Sequence, residues 1–182
     1  MNIEIRRLAD AGVAGNWRPL LEAAKNVSSS NWADDARCAG QELEIFFPDS
    51  EHPWSDPDQV REANGIALNR PLNFCADCPF AVQARCLVES LRHDDQYGIR
   101  AGMLASEREH LLAAWDKHID PEAVSSVLRG VPTVLNAAER RAVIARVAEN
   151  AAPSVEHARR GLGIDRKYLW QLVREHKKSA AA

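Results

Sequence analysis

The chain has 182 residues, a formal charge of −3 and 46% hydrophobic residues, which suits one domain of ordinary size or two small ones. Its mean hydropathy is −0.36, no run reaches the roughly 18 apolar residues of a membrane span, and Met1–Gly12 lacks the apolar stretch of a secretory signal; the expectation is a cytoplasmic protein, off the membrane, with reduced thiols. Residues 1–138 carry 13 Lys and Arg against 21 Asp and Glu, a charge of −8, and residues 139–182 carry 10 against 5, a charge of +5, as two modules with different partners would.

The elements read as helices throughout. Asn16–Lys25 is a short helix with Leu20, Leu21 and Ala24 on one side, broken by Val27–Asn31. Residues 39–58, with Gly40, Pro48, Pro53 and Pro57, read as loop. A helix is expected from Asp58 to about Leu68 and another over Arg85–Arg92, where Leu87 and Leu91 stand one turn apart. Ser106 and Glu109 have the spacing of a capping box for a helix to about Lys117. Residues 118–137 hold Pro121, Gly130 and Pro132 and read as a linker. A basic module follows over 138–178: an amphipathic helix with Val143, Ile144 and Val147, a second helix capped by Ser154, a turn at Gly163, and a third helix capped by Asp165 with Leu169, Leu172 and Val173 inward. No stretch alternates long enough to require a strand.

The four cysteines are Cys38, Cys75, Cys78 and Cys86, with 36, two and seven residues between successive members. The C-x-x-C pair can bend around one centre, and two further thiolates complete a four-sulfur site for zinc or an iron–sulfur cluster. Buried free cysteines are one alternative. A redox dithiol is another, although no βαβ pattern precedes Cys75. No Ser/His/Asp arrangement, carboxylate pair or phosphate-binding glycine loop is present, so the chain does not read as an enzyme.

Several motifs in order then resemble one family. Trp32-Ala-Asp-Asp-Ala-Arg-Cys38, Phe46-Phe-Pro48, Cys75-Ala-Asp-Cys78-Pro79, Cys86-Leu87, Gly98-Ile-Arg-Ala-Gly102 and Ser106-Glu-Arg108 are similar to the WhiB-like proteins. The resemblance implies a small helical domain, here 32–117, preceded by an N-terminal extension over 1–31. It implies a [4Fe–4S] cluster on Cys38, Cys75, Cys78 and Cys86, and regulation of transcription through region 4 of the primary sigma factor in RNA polymerase. A redox or nitric oxide response also belongs to that family. Trp32, Phe46, Phe47 and Arg100 occupy its partner-contacting positions. The chain departs from the pattern in three places. The separation of Cys38 and Cys75 is long. Arg100 and Ala101 replace an aromatic and a glycine of the family's turn. Seven residues rather than five separate Cys78 from Cys86; one continuous helix would hold their Cα atoms about 12 Å apart, so the helix is expected to start after about Phe80.

The tail, with Ala158-x-x-x-Leu162-Gly-Ile164, resembles Fis-type helix-turn-helix domains, with Arg159 where a small residue is usual. That likeness places Arg166, Lys167, Gln171 and Arg174 on the exposed face of a DNA-reading helix. The reading is therefore an all-α protein: a four-cysteine iron–sulfur domain followed by a helix-turn-helix, binding DNA and the transcription machinery. A thiol–disulfide oxidoreductase and a zinc-bound adaptor are the rivals.

Overall fold

A computed structural model describes residues 3–28, 31–49, 52 and 54–180. Its contacts divide the chain into two units, Met1–Trp115 and Asp116–Ala182. Every regular element among the described residues is helical.

The first unit contains α1 (Ile3–Val13), α2 (Arg18–Lys25), α3 (Pro57–Asn64), α4 (Asn69–Ala76), α5 (Phe80–Arg92) and α6 (Ala105–Trp115), with short 3₁₀ turns at Trp32–Asp35, Leu43–Phe46 and Gly65–Leu68. Pro19 opens α2, where its missing N–H costs nothing. Leu20, Ala23 and Ala24 then fall on one face and pack on α5, whose Ala84, Leu87, Val88 and Leu91 repeat at the same helical spacing. Trp17 and Trp115 meet edge to face, 5.1 Å between ring centres. A second cluster gathers Phe46, Val60, Leu68, Cys75, Ile99 and Leu104.

Several expectations change. Residues 1–31 are no appendage: α1, which the sequence did not suggest, and α2 supply Ile5, Ala9, Trp17 and Leu20 to the core. Ser29 and Ser30 of the expected break, and Pro53 of the expected loop, lie outside the described residues. The helix expected from Asp58 starts one residue earlier, because the Asp56 carboxylate accepts from the amides of Asp58 and Gln59; it closes at Gly65, a 3₁₀ turn carries the chain past Leu68, and α4 follows. The helix expected at Ser106 starts at Ala105. Glu107 Oε2 accepts the Leu104 N–H at 2.8 Å, while Ser106 is buried inside the helix. Helix α5 begins at Phe80, after Pro79, in agreement with the late start that the Cys78–Cys86 spacing demands.

The second unit contains α7 (Pro121–Leu128), α8 (Ala137–Ala148), α9 (Val155–Leu162) and α10 (Arg166–Ala180). The segment expected as a linker thus holds α7, whose Val124, Val127 and Leu128 join Val143, Ile144, Val147, Ala158, Leu169 and Val173 in one core. The buried Glu139 carboxylate accepts the N–H of Asn136 and, with its other oxygen, the N–H of Asp120. Asn136 closes a capping box around the start of α8, and Asp120 caps α7. One side chain therefore fastens the entrances of two helices. Ser154 caps α9, and Gly163 ends it in the left-handed region at φ 65°, a conformation open to glycine. Asp165 Oδ1 accepts the Tyr168 N–H at the start of α10.

Candidate functional site

Three separated segments bring the cysteines together. Cys38 lies in the loop between the first two 3₁₀ turns, Cys75 in the last turn of α4, Cys78 in the α4–α5 corner and Cys86 in α5. Arg37 Nε donates to the Asp77 carbonyl between Cys75 and Cys78 at 3.3 Å, and Arg70 donates to Gln41 Oε1 at 3.0 Å. These bonds pin the Cys38 loop to the α4–α5 corner. Cys38, Cys75 and Cys86 line one cavity of about 110 Å³ with Phe46, Phe47 and Arg100. Cys78 is close enough to feel the charges of Cys38 and Cys86. Among the described residues, no group of three or more His, Cys, Asp or Glu side chains is placed as a ready site for a metal ion.

Burial pushes the Cys75 thiol up to about 12, with Cys86 adding a further push and the Gly102 N–H easing it. Burial also raises Cys86, against the Ala101 N–H and the Arg100 charge. It raises Cys78 as well, against the Arg37 N–H. Each of these sulfurs thus has a backbone N–H donor waiting for a thiolate, in a setting too dry for the thiolate to form unaided at neutral pH. A metal bound to these sulfurs would resolve this conflict, because metal binding releases the thiol proton.

Two of the donors come from the turn over Gly98–Gly102. Ala101 and Gly102 have φ of 53° and 80°, which directs their N–H groups to Cys86 and Cys75. A left-handed alanine costs about 1–2 kcal/mol and needs fixing from outside. Gln83 Nε2, buried, donates to the Ala101 carbonyl at 2.9 Å. Ile99 N–H donates to the Phe46 carbonyl at 2.7 Å. The fully buried guanidinium of Arg108 donates to the carbonyls of Asp95, Tyr97, Gly98 and Met103 at 2.8 to 3.1 Å. The sequence shows Arg108 within a motif but gives it no role, because these four partners are main-chain carbonyls.

A four-thiol site pinned behind such a turn agrees with what comparison finds. The family model described as "Transcription factor WhiB" matches residues 32–111. Transcriptional regulator WhiB2 of Mycobacterium tuberculosis (strain ATCC 25618 / H37Rv) is 31% identical over 93 residues, 51% of this chain and 86% of that protein. The chain belongs to the WhiB family. WhiB2 of Bifidobacterium longum is 30% identical over 51% of this chain and 76% of its own, and WhiD of Streptomyces coelicolor 30% identical over 48% and 70%. No solved structure matches. This WhiB-family member is therefore a transcriptional regulator, and no helix among its described residues is long and apolar enough to cross a membrane.

The other candidate residues fall in different settings. Phe47 is exposed, whereas Phe46 is buried and packs near Phe74, so Phe46 supports the surface without forming it. Trp32 is half-buried in a turn that lies against α5. Arg100 lines the thiol cavity and pairs with Asp95 at 3.0 Å. Arg166, Lys167, Gln171 and Arg174 are all exposed along α10, with Leu169 and Val173 buried opposite them. Gln171 Nε2 donates to Glu175 Oε1 at 3.0 Å, and Tyr168 and Trp170 are also exposed on this helix.

Proposed function

We propose that Cys38, Cys75, Cys78 and Cys86 hold a [4Fe–4S] cluster, that the first unit contacts region 4 of the sigma factor in RNA polymerase, and that α10 contacts DNA in a helix-turn-helix. The observation that carries the reading is the meeting of Cys38, Cys75 and Cys86 around one cavity with Cys78 close beside them, and with N–H donors serving three of the four sulfurs. A redox dithiol needs a depressed thiol pKa, and Cys75 and Cys78 are both raised. When bound, the cluster supplies a one-electron centre open to oxidants and nitric oxide; the chain supplies four thiolates, their amide donors and the surrounding apolar wall. Exposed Leu43 and Phe47 at the cavity and the acidic first module suit a basic protein surface.

Protein purified without oxygen is expected to be brown and to contain four irons and four sulfides per chain, and Cys75→Ser should lose most of both. A colourless protein with one zinc would refute the cluster and favour the adaptor.

The +5 charge of residues 139–182 and the exposed cations on α10 support DNA binding. Arg166→Ala with Arg174→Ala should weaken DNA binding at least tenfold, each base-edge contact being worth about 1–3 kcal/mol. The salt dependence should flatten by about one ion for each phosphate that the variant no longer neutralises. A titration at two salt concentrations checks this; unchanged affinity would show that α10 is only a solvated basic face.

A further inference from the structure

Arg100 stands where the thiol cavity opens, lining it with Cys38, Cys75 and Cys86. Its position is fixed at both ends. The main chain is closed on itself by Arg100 N–H to the Met103 carbonyl at 3.0 Å and the reciprocal bond at 2.9 Å. The guanidinium Nε lies 3.0 Å from Asp95 Oδ2, and the Asp95 carbonyl is itself held by Arg108. A cation is therefore held at the cavity that Cys38, Cys75 and Cys86 line, by the carboxylate of a residue whose own main chain is anchored.

We infer that Arg100 sets the redox bias of the cluster held by the four cysteines, with Asp95 as its counterweight. This rests on the cluster reading above. Reduction adds one electron from an external donor to a site that already carries net negative charge, and no bond forms or breaks. A fixed cation nearby favours the more negative state, and a carboxylate paired with it takes back part of the effect. Both side chains are partly solvated, at 41% and 35% exposure, so the effect is reduced by solvent and salt.

The experiment is a potentiometric titration of the anaerobically purified full chain, with dithionite as the one-electron donor and the reduced cluster read by paramagnetic resonance. Iron, sulfide and thermal unfolding are measured first on each variant. Arg100→Gln should shift the one-electron equilibrium about fivefold or more against reduction, tenfold being 59 mV. Asp95→Asn should shift it the other way, and Arg100→Lys should stay within about threefold of the parent. Opposite signs are the decisive readout, since general loosening of the turn would move Arg100→Gln and Asp95→Asn together. Shifts of the same sign, or none beyond twofold, overturn the role of Arg100 while leaving the cluster intact. If Arg100→Gln does not assemble, Asp95→Asn decides alone, and no shift toward reduction overturns the inference. A parent protein without iron and sulfide overturns the cluster reading itself, and this inference with it.

Discussion

Arg108→Met should lower the thermal unfolding midpoint of the first unit by about 10 °C or more and leave the purified protein depleted of iron. The side chain is fully buried and feeds four carbonyls of the Asp95–Met103 segment. Methionine can fill the space but donates nothing, so the Asp95, Tyr97 and Gly98 carbonyls lose this donor, while the Met103 carbonyl keeps the Arg100 N–H. Losing several buried hydrogen bonds to a charged group, each worth about 1.5–3 kcal/mol, costs on the order of 3–5 kcal/mol, and each kcal/mol moves the midpoint of a domain near this size by about 4 °C. Part of the loss is returned because no cation has to be desolvated. The second effect is positional. Without the staple, Ala101 has less reason to stay left-handed, and the amides aimed at Cys86 and Cys75 drift. Arg108→Lys should rescue little, because one ammonium offers three donors from a single point, while these carbonyls need a broad fork. Circular dichroism melting with iron analysis tests both parts; a midpoint within a few degrees of the parent would refute the staple.

Gly161→Ala should destabilise the second unit by about 2–3 kcal/mol, although alanine is the better helix former by about 1 kcal/mol. A Cβ at this position would lie 2.3 Å from the Val127 carbonyl oxygen and 2.7 Å from its Cα. Both are main-chain atoms and cannot rotate away, so α7 and α9 would have to separate, a change of the kind that overpacking makes costly. Hydrogen exchange on the full chain should show the amides of α7 and α9 opening more readily, and those of α1 unchanged. Unchanged or slower exchange in α7 would mean that the two backbones do not meet there.

The same glycine marks the limit of what residue patterns reveal. Gly163 was legible because its left-handed turn sits between two capped helices, and Ser154 and Asp165 announced their caps by residue type. Gly161 was not, because its reason lies in α7, hidden in a stretch whose Pro121, Gly130 and Pro132 read as connection. Pro121 instead sits where proline suits a helix start, behind the Asp120 cap. The four cysteines were legible as a set through C-x-x-C and the motifs around it, and the late start of α5 followed from simple helix geometry. What holds them was not: Arg108 and Gln83 act on main-chain carbonyls, and the donors to the sulfurs are main-chain N–H groups of residues 101 and 102, none of which spacing reveals. Ser106 misled for a related reason, since Glu107 caps the helix at Leu104, two positions earlier than the S-x-x-E pattern suggested.

The packing of α2 on α5 has a consequence for how the family's cysteine pattern travels between proteins. The matched stretch begins at Trp32, yet the floor beneath the Cys86 helix is laid by Leu20, Ala23 and Ala24, which lie before it. Transplanting residues 32–111 into another chain would carry every sulfur and leave the apolar underside of α5 facing water. The pattern is a local statement about ligands, while the site it builds depends on a neighbour outside the pattern. In this chain the floor is laid by residues that carry no cysteine motif, so the motif alone does not specify it.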